Sequence, residues 1–275
     1  MNLSAMNPVA DSHPTATALR VASVSYLNAK PLLWGIEAFD DVTLQLDVPA
    51  KLLDRMRRYD ADVALLPVID YQRLDDLVVV PSGCIGCDGP TLTVRIFSKT
   101  PIEQIQSLAC DTDSHTSVAL AKVILAERYG IAPAFHDLNG GGGDPDDAML
   151  LIGDKVVCEE PAGFAHQLDL GAAWKDLTQL PFVFAVWMSR RGTNLRDLPE
   201  RLASARIEGL RHVDEIVKQY AIPRGWPATV ALQYMTSYLK YDVGEKQLEA
   251  ICRFHQLAQT HGVIQNRREL QVYSG

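Results

Sequence analysis

Residues 19–25, "LRVASVS", form a short, mostly apolar run that reads as a strand, and a helix is predicted from about Pro31. A proline suits the first helical position, where its missing N–H costs nothing. "VTLQLDV" alternates apolar and polar residues with a period of two, which predicts a strand. In the following "PAKLLDRMRRYD", Leu52, Leu53 and Met56 recur at helical spacing. "ADVALLPVIDYQRL" opens with a continuous apolar run and reads as a buried strand stopped by Pro67. Strand, helix, strand, helix, strand is the order of a mostly parallel sheet with helices on its faces.

The alternation then restarts. "GPTLTVRIFSK" reads as a long strand with Thr91 and Thr93 on one face. It is followed by strand "QSLACDT", helix "HTSVALAKVILAERYG", the glycine-rich loop "LNGGGGDPDDAM" and strand "DAMLLIG". A second extended run, "LPFVFAVWMSR", precedes a tail that is helical by period. The expected fold is α/β and two-lobed, each lobe a mostly parallel sheet flanked by helices, with a helical C-terminal tail. Lobe 1 takes residues 19–97 and 186–275, lobe 2 is the inserted 98–185, and residues 1–18 form a disordered arm. The runs Thr91 to Ser98 and Pro181 to Ser189 would cross between lobes, leaving a cleft of the kind that binds small ligands.

Composition narrows the function. The chain has 275 residues, of which 47% are hydrophobic, enough for a sizeable core. The leading "MNLSAMNPVADSHPTATALR" has no apolar core of a secretory signal, and charges interrupt the longer apolar segments. A cytoplasmic protein that does not span a membrane is expected. Five scattered cysteines give no disulfide framework and suit reduced thiols. A formal charge of -8 argues against nucleic acid, which requires clustered Lys and Arg. An anionic ligand would therefore be held by local donors.

Cys84 and Cys87 form C-I-G-C without a second pair of ligands at matching spacing, so they read as small apolar residues in a turn rather than a metal site. Asp144, Asp146 and Asp147 lack the spacing of a calcium loop. There is no G-x-S-x-G, P-loop, G-x-G-x-x-G or H-E-x-x-H, which leaves serine, nucleotide and zinc chemistry without support. Polar residues gather instead at strand ends. Ser25, Tyr26 and Asn28 follow the first strand, and Gly153 with Asp154 follow "AMLLI". Asp88 and Gly89 make the turn before Thr91 and Thr93. Asp113, Ser114 or Thr116 can cap the helix whose first turn carries His115, Thr116 and Ser117, and the N–H groups and hydroxyls of such a turn suit an anion. Each residue also has a plain structural reading as a cap or turn.

Taken in order, "VSYLNAKPLLWGIE", "DVALLPVIDYQRL", "CDGPTLTVRIFSKTPIEQI", "DTDSHTSVALAKVIL", "LLIGDKVV" and "LGAAWKDLTQLPFVFAVW" resemble the chorismate dehydratases of the futalosine route to menaquinone. The resemblance implies a fold like type II periplasmic binding proteins. It also implies a reaction, loss of water from chorismate to give 3-[(1-carboxyvinyl)oxy]benzoate with no cofactor or metal. Asn28 and Thr93 map to the residues placed at the reacting centre. Relatives often carry Ser in place of Thr93 and Arg in place of His115. The ring proton to be lost is vinylogous to the ring carboxylate, so donors aimed at that carboxylate would stabilise the developing charge. No histidine or glutamate in these motifs is an obvious base, which points to the substrate's own enolpyruvyl carboxylate. Two other readings are the related naphthoate-forming enzyme of the same pathway and a non-catalytic anion-binding protein of the same fold.

Overall fold

The protein, a computed structural model, is described over residues 18–111, 114–138, 147–158 and 161–275. Nearly all of the expected N-terminal arm, the candidate cap Asp113, and Asp144 and Asp146 of the glycine-rich loop lie outside the described residues. In chain order the strands are β1 (Leu19–Val24), β2 (Val42–Asp47), β3 (Val63–Pro67), β4 (Leu77–Cys87), β5 (Val94–Ser98) and β6 (Ser107–Cys110). They continue as β7 (Ala134–Asp137), β8 (Ala148–Ile152), β9 (His166–Asp169), β10 (Phe182–Arg190) and β11 (Leu239–Lys240). The helices are α1 (Pro49–Arg57), α2 (His115–Tyr129), α3 (Asp154–Cys158), α4 (Leu170–Thr178), α5 (Leu198–Arg211), α6 (Val213–Ile216), α7 (Ala228–Gln233) and α8 (Glu245–Thr260).

Two sheets result. One has six strands in the order β11-β4-β10-β3-β1-β2, the other five in the order β7-β6-β8-β5-β9. The expected parallel pairing is carried by β1 with β2 and β3, and by β6 with β7 and β8. Strands β10 and β5, on either side of the crossings, run antiparallel to their neighbours, so both sheets are mixed. The chain passes between sheets after β4 and before β10. An edge-to-face aromatic set clamps this junction: Trp174 of α4 lies 5.2 Å from Phe182 of β10 and 6.0 Å from Phe254 of α8. All three rings are fully buried, and such pairs contribute about 0.5–1.5 kcal/mol each beyond area burial.

Three local expectations change. Residues Leu27–Leu33 form a 3-10 turn with Pro31 inside it, rather than a helix starting at Pro31. The turn stays short because Pro31 has no N–H to return to the chain before it. Cys84 and Cys87 lie in the long strand β4, not in a turn. Burial pushes both thiols well up, leaving them protonated packing groups. The long strand expected from Thr91 begins only at Val94, because Leu92 takes a left-handed φ of 68° and the chain turns there.

Candidate active site

The C-terminal ends of the parallel strands converge on one cavity of about 230 Å³. Val24 ends β1, Leu65 and Pro67 end β3, Asp111 follows β6 and Ile152 ends β8, and all five line it. Open α/β sheets present ligand sites at this edge, where the strands stop and the backbone turns away with polar groups facing outward.

One wall comes from the turn after β1. Tyr26, Leu27 and Asn28 line the cavity, and their turn packs on α5. The approach is close enough that a Cβ on Gly209 of α5 would sit 2.1 Å from the Pro31 carbonyl oxygen. Only glycine fits there. Trp34, just past the turn, stacks on His212 with ring centroids 4.6 Å apart. Asn28 is thereby fixed with its Oδ1 buried and without a hydrogen-bond partner. A preorganised polar atom left without a protein partner is suited to a ligand.

A second wall is the crossing before β5. The Thr93 N–H donates to the Thr91 carbonyl at 2.8 Å, closing a three-residue turn over Leu92. Asp169, the N-cap of α4, holds this turn. Its carboxylate accepts from the Thr91 N–H at 3.0 and 3.1 Å, from Leu92 at 2.9 Å and from Ala172 at 3.0 Å. The Thr93 carbonyl in turn accepts from the Gly153 N–H at 2.9 Å, which binds the crossing to the end of β8.

Tyr234 joins the two walls. Its Oη lies 2.9 Å from Thr93 Oγ1, and the Asn28 side chain acts on the same phenol. Tyr234 opens a π-helical turn, Tyr234–Tyr238, continuous with α7, a conformation frequent at functional sites. Burial pushes its phenol up to about 12, against the lowering effect of Thr93 and Asn28. The Trp226 indole stacks on the Tyr234 ring with centroids 5.1 Å apart and donates through Nε1 to Asp154 Oδ1 at 2.8 Å.

The third wall is the start of α2. Ser114 caps the helix, accepting from the Ser117 N–H at 3.2 Å, and the two hydroxyls lie 2.8 Å apart. Just before this turn, Asp111 carries a buried carboxylate that lies 2.6 Å from Lys155 Nζ. Charge at the cavity wall is thus largely paired, and the hydroxyls, phenol and amide are neutral.

Of the residues singled out in the sequence, Tyr26, Asn28, Thr91, Thr93, Ser114, Ser117, Gly153 and Asp154 are brought together on this cavity. The others meet different partners. Ser25 is exposed, its carbonyl accepting from Arg224 at 3.4 Å. Asp88 pairs with Lys175 at 2.6 Å, and the Gly89 carbonyl packs against Gly171 in the first turn of α4. His115 Nδ1 lies 3.2 Å from both oxygens of the buried Asp70, and Thr116 Oγ1 accepts from the Ile69 N–H at 3.5 Å. These last two join α2 to the turn after β3. Asp169, Trp226, Tyr234 and Lys155 were not foreseen. An aspartate three residues before Ala172 is a helix-cap signal that could have marked the first; the tyrosine and tryptophan lie in a tail legible only as helix.

The two mixed sheets, joined by two crossings with the cavity at their strand ends, define a two-lobed α/β protein with the periplasmic-binding-protein fold. An alkanesulfonate-binding protein from Xanthomonas axonopodis pv. citri, solved with MOPS bound, superposes with a TM-score of 0.68 at 12% identity, over 94% of this chain and 96% of its own. A Candida albicans gene product with the generic periplasmic binding protein fold gives a TM-score of 0.66 at 12% identity, over 94% and 99%. The chain belongs to the menaquinone biosynthesis family, which it matches over residues 19–260. It is also 29% identical over 211 residues to the chorismate dehydratase of Thermus thermophilus, spanning 70% of this chain and 78% of that one. No helix among the described residues is long and apolar enough to cross a membrane.

Proposed function

We propose that the protein eliminates water from chorismate to give 3-[(1-carboxyvinyl)oxy]benzoate. The observation that carries this reading is the convergence of Asn28, Thr93 and Tyr234 at one point of the cavity, a phenol joining the two residues that the family resemblance assigns to the reacting centre. Asn28 and Thr93 face the leaving hydroxyl. The first turn of α2, with Ser114 and Ser117, takes one carboxylate through its N–H groups and hydroxyls. Lys155, which lines the cavity paired with Asp111, supplies a positive charge for the substrate's carboxylates.

The elimination needs a base for the ring proton on the ether-bearing carbon. The substrate's own enolpyruvyl carboxylate serves, which suits a wall of neutral donors. Loss of the proton places negative charge on the ring and, by conjugation, on the ring carboxylate, where fixed donors stabilise it. Departure of the hydroxyl makes the ring aromatic. The lobes built on the two sheets close around the substrate and exclude water.

The test mixes purified protein with chorismate and follows the products by mass spectrometry without added cofactor. Loss of one water is expected. Chorismate that binds and stays intact overturns the reading in favour of a carrier or sensor.

A further inference from the structure

The leaving hydroxyl of such a substrate departs as hydroxide unless a proton meets it, and the cavity holds a group built to supply one. Thr93 Oγ1 and Tyr234 Oη are 2.9 Å apart, both residues buried and both lining the cavity. Of the two hydroxyls the phenol is much the stronger acid. We propose that Tyr234 is the general acid of the elimination, delivering its proton through Thr93 to the leaving oxygen. The assignment rests on the dehydratase reading above.

Each part of the relay is held independently of the ligand. The Asp169 carboxylate and the turn over Leu92 fix Thr93. The π-helical turn and the stacked Trp226 fix the Tyr234 ring, and Trp226 is itself anchored to Asp154. Asn28 reaches the same phenol, leaving it poised between an amide and a hydroxyl. Burial holds the phenol protonated, up to about 12, so the acid is loaded when substrate arrives.

The step balances. The enolpyruvyl carboxylate takes the ring proton, and the C–H electron pair becomes the new ring double bond. The C–O bond breaks with its pair going to oxygen, which takes the Thr93 proton as Thr93 takes that of Tyr234. The phenolate recovers a proton from the protonated carboxylate through solvent as product leaves. One water is released, and nothing is oxidised or reduced.

The experiment compares the full-length wild type with Tyr234→Phe and Thr93→Val, each checked for folding by circular dichroism, on two substrates. One is chorismate; the other is its analogue with fluorine in place of the ring hydroxyl, whose fluoride leaves without an acid. With chorismate, Tyr234→Phe is expected to lower kcat at least a hundredfold with KM changed less than severalfold, in the range of lost general-acid catalysis. The double variant should fall no further than Thr93→Val alone, since the two act as one unit. With the fluoro analogue, Tyr234→Phe should keep a rate within a few fold of wild type. Equal losses on both substrates make Tyr234 a packing residue and overturn the proposal, as does a chorismate rate within threefold of wild type. Wild-type protein that leaves chorismate intact overturns the dehydratase reading, and this assignment with it.

Discussion

The Asp169 carboxylate accepts a hydrogen bond from the Leu92 N–H at 2.9 Å, coupling the cap of α4 to a residue held at a φ of 68°. A leucine in that region is strained, at roughly 1–3 kcal/mol, and persists only when its surroundings over-determine it. Asp169 supplies the determination, since Thr91, Leu92 and Ala172 all donate to it.

Asp169→Ala should therefore act twice. Loss of the cap and of charge-assisted bonds should lower stability by about 2 kcal/mol or more, read as the urea midpoint. Release of the Leu92 turn should also lower kcat on chorismate, because Thr93 loses its fixed position. Asp169→Asn retains an acceptor and should recover part of both. A variant with wild-type turnover per folded molecule would show that the turn holds without Asp169.

Gly209→Ala tests the seating of the other wall. The added methyl would meet the Pro31 carbonyl oxygen at 2.1 Å, a backbone atom that cannot swing aside. Overpacking of this kind costs about 1–3 kcal/mol. Because the displaced turn carries Asn28, turnover should fall along with the melting temperature, whereas an exposed-face change such as Glu208→Gln should move neither. Unaltered turnover in Gly209→Ala would detach Asn28 from this packing.

How far the sequence could be read follows from which residues speak locally. The strands β1, β2, β3, β6 and β8 and the helix α2 announce themselves by period, and the menaquinone family resemblance by ordered motifs. Leu92 could not be foreseen, because its left-handed turn is imposed by Asp169, a residue distant in sequence that donates nothing to local propensity. Cys84 and Cys87 looked like turn residues beside glycine; pairing of β4 with β10 and β11 overrode that preference. Tyr234 was silent for a similar reason. In the tail its period says helix, and only the fold carries it 2.9 Å from Thr93.

Histidine 255 makes stability depend on pH. It is buried on α8, with Nε2 3.0 Å from the Val68 carbonyl and Nδ1 2.9 Å from Gln72 Nε2. Burial, with the nearby Arg268 and Arg267, lowers its pKa from 6.5 to about 4. The unfolded chain therefore binds the proton more tightly than the folded one between these values. The contribution is fully present above about pH 6.5 and is lost as pH falls toward 4, by about 3 kcal/mol in all. Urea unfolding across this window should show the loss in the wild type and a flatter profile in His255→Gln. Equal slopes would assign the acid sensitivity to other groups.

Asn28 is where stability and turnover should part. Its Oδ1 is buried without a partner, which costs the folded state free energy in the absence of ligand. Asn28→Ala removes that orphaned atom together with the amide's contact to the Tyr234 phenol, and no apolar packing, so the melting temperature of the free protein should change little. Turnover should fall. The donors of this amide are its Nδ2 N–H groups rather than Oδ1. Losing one preorganised donor at a reacting centre costs ~2.7–4 kcal/mol, on the order of a hundredfold to a thousandfold in kcat, with KM changed far less since in the proposed elimination the interaction strengthens as the C–O bond breaks. If Asn28 served only to tie the turn before Pro31, the same substitution would lower the melting temperature and leave kcat per folded molecule near wild type. Measuring both on one preparation separates a residue kept for the transition state from one kept for the fold.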